Sequence, residues 1–320
     1  MLKAFYCANR RLVPLSGAQP LSAALWIDLF QPTAAEVLQI AELGMSVPDL
    51  AEMEEIEVSN RLFHEDGIEN MTVVLPGQND EGMQIAAPVC FMLAPQRLVT
   101  VRHHTPRPFE TYPERADKSS LSCASADRIF LSLIEDIIGR MADHLEGVGR
   151  GLDEVARQIY QRDPPVRRAK DLQIALSNLG AEGERLGRVR LALMTIGRAI
   201  NHFGQTLPLR DGADIMGTFV TGLLRDIDAL EVHAEFLSSR LALASDASLG
   251  MINLAQNGTV RIVSVVAVLF LPPTLIASIY GMNFLHMPEL AQPWGYPMAL
   301  GLMVGSAVVT WAFFHWRGWL

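Results

Sequence analysis

Three patterns of hydrophobic and polar positions follow one another along the chain. In the first hundred residues, short apolar runs alternate with helical periods. Val73 to Leu75, Cys90 to Leu93 and Leu98 to Val101 predict strands, set apart by Pro76-Gly77, the Asn79 to Gly82 cluster and Pro95. Pro32 to Leu43 and Val47 to Glu55 predict helices, the second leading into the acids Glu54, Glu55 and Glu57. An α/β domain over 1–115 follows from this alternation. From Asp127 the strand signals stop and long mixed-charge amphipathic patterns begin, broken at Pro164-Pro165 and at Pro208. They predict two long helices, about 125–162 and 167–205, forming a helical hairpin within 116–208.

The next helix carries a tighter rule. Apolar or small residues recur at Leu223, Ile227, Leu230, Ala234, Leu237, Leu241, Ala244, Ser248, Met251 and Ala255, alternating four and three apart. That is the 3.5-residue repeat of a coiled-coil-like seam, and if it associates several copies of the chain it would deliver the first crossing of each to a common axis. No proline interrupts the pattern from about Asp211 into the next apolar run, so a stalk helix over 209–283 is expected; two helices meeting at Gly250 or at Gly258-Thr259 are the alternative. The third pattern is apolar throughout. Ile262 to Tyr280 is 19 residues without a charge, enough for roughly 28 Å of helix and one bilayer crossing. Tyr296 to Trp316 is a second such run, with Tyr296, Trp311 and Trp316 near its ends, where amphipathic rings favour the headgroup level.

Charge sharpens this division. The chain has 26 Lys and Arg against 35 Asp and Glu, a net charge of -9, yet from Ile262 to Leu320 only Glu289 and Arg317 are formally charged. An entirely soluble protein is excluded by that contrast, and the acidic balance excludes a nucleic-acid binder, which needs clustered Lys and Arg. Arg261 and Arg317 flank the two runs, while the loop Phe284 to Gly295 has no basic residue. Both termini are therefore expected in the cytoplasm, with 284–295 as the outer, periplasmic loop and 317–320 as a short tail. Cys7, Cys90 and Cys123 are odd in number, far apart and not in CxxC spacing, so ordinary buried thiols are expected. No phosphate loop, GxSxG or HExxH is present, and no catalytic constellation or cofactor is nominated. His64 and His103-His104 lack ligand spacing.

Chemistry concentrates at the outer end of the first run, 262–282. There Tyr280-Gly281-Met282-Asn283-Phe284 is followed by Met287-Pro288-Glu289-Leu290. A glycine lets the backbone expose carbonyl groups and Asn283 adds an amide oxygen, and such neutral donors suit magnesium, which is often held through its own waters. With these residues the sequence resembles the CorA magnesium and cobalt channels. The likeness runs through LLRDIDALEVHAEFL (Leu223 to Leu237), Leu249 to Asn253, Gln256-Asn257, SVVAVLFLPPTLIASIYGMNF and MPEL to the last residue, with EVSNRLFHEDG (Glu57 to Gly67) in the N-terminal domain.

The resemblance implies an α+β cytoplasmic domain followed by long helices and two C-terminal transmembrane helices, assembled as a funnel-shaped homopentamer in the inner membrane. It implies influx of magnesium, with cobalt and nickel, closed by magnesium bound between cytoplasmic domains. Gly281, Met282 and Asn283 then correspond to the selectivity filter and Asn257 to the polar ring at the inner mouth. One helical face joins them: Val260, Ser264, Ala267, Leu271, Thr274 and Ser278, spaced by three or four, would line the pore, with Leu271 as a hydrophobic constriction. Packing against the second crossing is the other use of such a stripe. Glu289 is an outer-loop candidate, and Asp226 and Asp228 are candidate regulatory ligands. The tail HWRGWL and Gly258-Thr259 depart from the family's basic pattern. A proton-coupled zinc transporter of the related ZntB type, and a membrane-anchored cytoplasmic sensor, are the rival readings.

Overall fold

A computed structural model describes residues 1–16, 19–119, 121–160, 169–210, 212–282, 287–288 and 292–318. It divides into two compact units, Met1–Arg157 with Ser177–Ala244, and Gln158–Leu176 with Ser245–Leu320.

The first unit is built on a seven-stranded sheet. Strands β1 (Leu2–Ala8), β2 (Arg11–Pro14), β3 (Trp26–Phe30), β4 (Leu62–Glu65), β5 (Ile68–Gln78), β6 (Gln84–Ala94) and β7 (Arg97–Arg102) lie in the order β2-β1-β3-β7-β6-β5-β4. All pairs are antiparallel except β3 with β7. Both faces are covered, so the central strands read as continuous apolar runs rather than strict alternations. On one face Ile27, Leu29, Cys90, Met92, Val99 and Val101 meet helices α1 (Ala34–Ala41) and α2 (Leu50–Glu54). These helices begin where the sequence supplies capping boxes, Thr33 with Glu36 and Asp49 with Glu52. A short helix α3 (Val58–Arg61) precedes β4.

The other face is aromatic. Helix α4 (Pro108–Arg115) sets Phe109 and Tyr112 against Trp26, and α5 (Ala126–Tyr160) sets Phe130 between Phe91 and Phe203, the latter on α6 (Ala169–Thr206). A hydroxyl ties the layers: Thr195 Oγ1 on α6 accepts from Val74 N at 3.0 Å. Beneath the aromatic layer Arg102 holds Asp28 with both carboxylate oxygens engaged, and Thr100 donates to Asp28 and accepts from Trp26 Nε1.

Three expectations change. Pro76-Gly77 does not separate strands, because β5 runs through it to Gln78. Glycine is needed there for close approach, since a Cβ at Gly77 would stand 2.6 Å from His104 Cδ2 and 2.8 Å from Pro106 N. The turn falls at Asn79 to Gly82, where Asn79 Oδ1 accepts from Glu81 N and Met83 N and Gly82 takes a positive φ. Second, Cys7 and Cys123 are not free thiols but a disulfide, their Cα atoms 5.9 Å apart across a sequence separation of 116. Tertiary folding brings β1 beside the segment leading into α5, which no local spacing signals. Cys90 is free and buried, its thiol pushed up to about 11 by desolvation. Third, the four-three seam is filled by the chain itself. Helix α7 (Ala213–Tyr280) is one helix of 68 residues, without a break at Gly250 or Gly258. Its Leu223, Ile227, Ala234 and Leu237 are buried within one chain. Small residues on the facing helices admit them: Gly149 of α5 lies against Leu237, and Gly183 and Gly197 of α6 lie against Leu241 and Ile227. Over this stretch the seam is covered by a three-helix layer within one chain.

Candidate functional site

The second unit contains the lower part of α7 and helix α8 (Gly295–Trp316). Both are apolar enough to cross a membrane, and only 6% and 11% of their most apolar 18-residue windows are buried. A core helix of a soluble protein would be covered; these two present their apolar surface outward, as lipid or neighbouring helices require. Helix α7 passes through Pro272 and Pro273. Proline has no N–H, so the carbonyls four residues earlier, on Val268 and Leu269, lose their intrahelical donors.

Asn257, Val260, Ser264, Ala267, Leu271, Thr274 and Ser278 form one bare stripe along α7, every member exposed. Val260 is 64% and Leu271 69% accessible. Opposite them Val265, Leu269, Pro272, Pro273 and Ile276 are buried or partly covered. Packing within the chain therefore uses the other face of the helix. On α8 the covered line is Gly295, Ala299, Met303, Ser306, Thr310 and Phe314, at steps of three and four. Thr274 Oγ1 donates to Phe270 O at 2.7 Å, which spends its proton on the helix and leaves its oxygen lone pairs outward. Those lone pairs can accept from the water shell of a cation.

At its C-terminal end α7 closes at Tyr280, and Gly281 N still reaches Ala277 O at 2.9 Å. A Cβ at Gly281 would stand 3.1 Å from that same oxygen, so a side chain would crowd the last turn. Gly281 and Met282 are exposed. Asn283 and Glu289 lie outside the described residues.

The acids of the helical layer are mostly matched by arginines. Asp136 pairs with Arg115, Asp143 with Arg140, Glu146 with Arg150, Asp153 with Arg240 and Glu235 with Arg190. Asp226 and Asp228 are exposed on α7, with no ion pair among the described residues. Burial raises the Glu135 carboxyl above its usual range, and the charges of Asp136 and Asp226 add to the shift. Among the described residues no three His, Cys, Asp or Glu side chains are close enough to hold a metal ion.

Sequence reasoning missed one polar centre in the first unit. The buried Glu69 of β5 accepts His64 Nδ1 at 3.0 Å and His202 Nε2 at 3.1 Å, with Arg210 NH2 at 3.5 Å and Arg210 also paired to Asp127. Its partners come from β4, from α6 and from the turn before α7, so spacing along the chain carries no trace of it.

These features define a class: a membrane protein whose mixed sheet and long helices precede two C-terminal apolar helices, the first bearing a polar stripe along an exposed face. The chain matches the family described as CorA-like Mg2+ transporter protein over residues 22–316. The magnesium transport protein CorA of Escherichia coli strain K12 is 36% identical over 324 residues, and that of Haemophilus influenzae strain Rd is 34% identical over 328, both alignments covering the whole of each chain. The complete structure of the CorA magnesium transporter from Methanocaldococcus jannaschii superposes with a TM-score of 0.76 at 17% identity, covering 100% of this chain and 99% of that one, which bears on the fold. The chain belongs to the CorA-like Mg2+ transporter family, a family of ion transporters rather than enzymes, and has the CorA fold.

Proposed function

We propose that the chain conducts magnesium, and with it cobalt and nickel, into the cell as a homopentamer in the inner membrane, with both termini cytoplasmic. The observation that carries this reading is the bare stripe on α7. Asn257, Ser264, Thr274 and Ser278 would each set polar atoms in hydrocarbon if a single chain faced lipid there, a placement that membranes penalise. Turned inward around a shared axis, the same atoms face water. Leu271 then supplies a dewetting ring, and Gly281, Met282 and Asn283 form the outer filter, where carbonyl and amide oxygens meet an ion that keeps its waters. Regulation by cytoplasmic magnesium rests on Asp226 and Asp228, whose exposed carboxylates have, among the described residues, none of the arginine partners that neighbouring acids have.

Uptake into proteoliposomes tests this directly, comparing magnesium, cobalt and zinc side by side. Magnesium influx is expected from the parent chain and none from Asn283→Ala, with equal protein in the membrane. Undiminished influx through Asn283→Ala would remove the filter assignment, and uptake of zinc alone, driven by a proton gradient, would replace the magnesium reading with that of a ZntB-like transporter.

A further inference from the structure

Beside α2 and α3 the covering of the sheet is incomplete. A cavity of about 580 Å3 opens there between the helices and strands β5 and β6, a size common for small-molecule sites. Strand alternation puts Ile68, Asn70 and Thr72 on the same face, and the register sets Met92 opposite Asn70 and Cys90 opposite Thr72. These five side chains make the floor.

Asn70 is anomalous in that floor. It is 8% exposed, and its amide has no hydrogen-bond partner among the described residues. Thr72 beside it is engaged by the Cys90 thiol. Its amide atoms open into the cavity, where a group that enters can take their hydrogen bonds. The rim shows the charge of that group: Glu52, Glu55, Glu65 and Asp66 line the cavity, with no Lys, Arg or His among the lining residues.

A bare metal ion does not match, because the acids are spread around the opening and among the described residues no three could share one ion. Spread acids over an apolar lining of Met53, Phe63, Ile68 and Met92 match two positive charges joined by methylenes. We propose that this cavity binds an aliphatic diamine or polyamine. One ammonium donates to the Asn70 amide oxygen, the methylenes lie along Met53 and Met92, and the far ammonium is held by Glu65 and Asp66. An ammonium has three donors and no acceptor, so carbonyl and carboxylate oxygens satisfy it, the charged ones most strongly.

Calorimetric titration of the full chain in detergent micelles with 1,4-diaminobutane, in magnesium-free buffer, decides the matter. Saturable binding is expected, weakened tenfold or more for butylamine, for Asn70→Leu and for Glu65→Gln/Asp66→Asn. Asp66 has φ 51°, a conformation asparagine accepts as readily, so the double change leaves the turn intact. That rim variant and butylamine carry the decision if Asn70→Leu fails to fold. The proposal is overturned by an absence of saturable binding or by any weakening below tenfold in the rim variant. Magnesium chloride binding more tightly than the diamine, and lost in the same variants, would overturn it as well. The site stands apart from the stripe on α7, and its test does not depend on transport.

Discussion

Replacing Arg102 by methionine isolates the most buried charge pair of the sheet. Arg102 and Asp28 have side chains only 3% accessible each, joined by NH2 to Oδ2 at 2.9 Å and by Nε to both oxygens at 3.1 and 3.2 Å. The guanidinium also donates to His104 O at 3.0 Å and lies 4.8 Å from the Phe30 ring and 5.3 Å from the Phe109 ring. Methionine fills much of the volume, so the cavity term is small, but Asp28 is left as a buried charge with only Thr100 donating to it. Breaking such a pair from one side costs about 3–5 kcal/mol, whereas replacing both partners by apolar groups is often neutral. At roughly 2–4 °C per kcal/mol for a unit of this size, the variant should melt about 6–20 °C below the parent. Asp28→Leu/Arg102→Met should recover most of that difference. Far-UV circular dichroism of the detergent-solubilised chain reads both. A single variant within 1 °C of the parent, or a double variant no better than the single, would show that the pair does not bear on folding as its burial implies.

Two further outcomes follow from neighbouring atoms. Gly77→Ala sets a Cβ against His104 Cδ2 and against the backbone at Thr105 and Pro106; since backbone yields little, a loss of about 1–3 kcal/mol is expected in the same melts, and a neutral variant would contradict the close approach. His104 is held near a pKa of about 4, first by burial, while Nε2 donates to Leu75 O. Its folded pKa is depressed, so the unfolded chain binds the proton more readily; stability is full above about pH 6.5 and falls towards pH 4, by up to about 3 kcal/mol. His104→Gln should flatten that acid arm, and an unchanged slope would assign it to other groups.

How much of this was legible in the sequence depends on how far apart the cooperating residues lie. The apolar runs at Ile262 to Tyr280 and Tyr296 to Trp316 announce themselves, because the absence of charge is a local property, and so is the spacing of the α7 stripe. The seam at Leu223 to Leu241 was equally readable as a period, yet a period does not say what fills it, and α5 and α6 of the same chain do. Strand β3 was hidden by Asp28, which looks solvent-facing until Arg102, 74 residues later, is folded against it. The Cys7 to Cys123 bridge spans a still longer separation. Asn70 reads as an ordinary strand residue, and only the register of β5 with β6 turns it towards a cavity. The stripe was visible from spacing; which face of α7 stays uncovered required the fold.

Helix α7 changes company along its length. Up to about Leu241 its buried line is covered by the chain's own α5 and α6, whereas from Asn257 to Ser278 its stripe stays exposed. The first stretch can mature while a single ribosome is still at work, since every partner it needs is encoded upstream of it. On the proposed assembly, the second is covered only when other copies of the chain meet it in the bilayer. On that proposal biogenesis is ordered: a newly inserted subunit is complete as a fold before it is complete as a conduit.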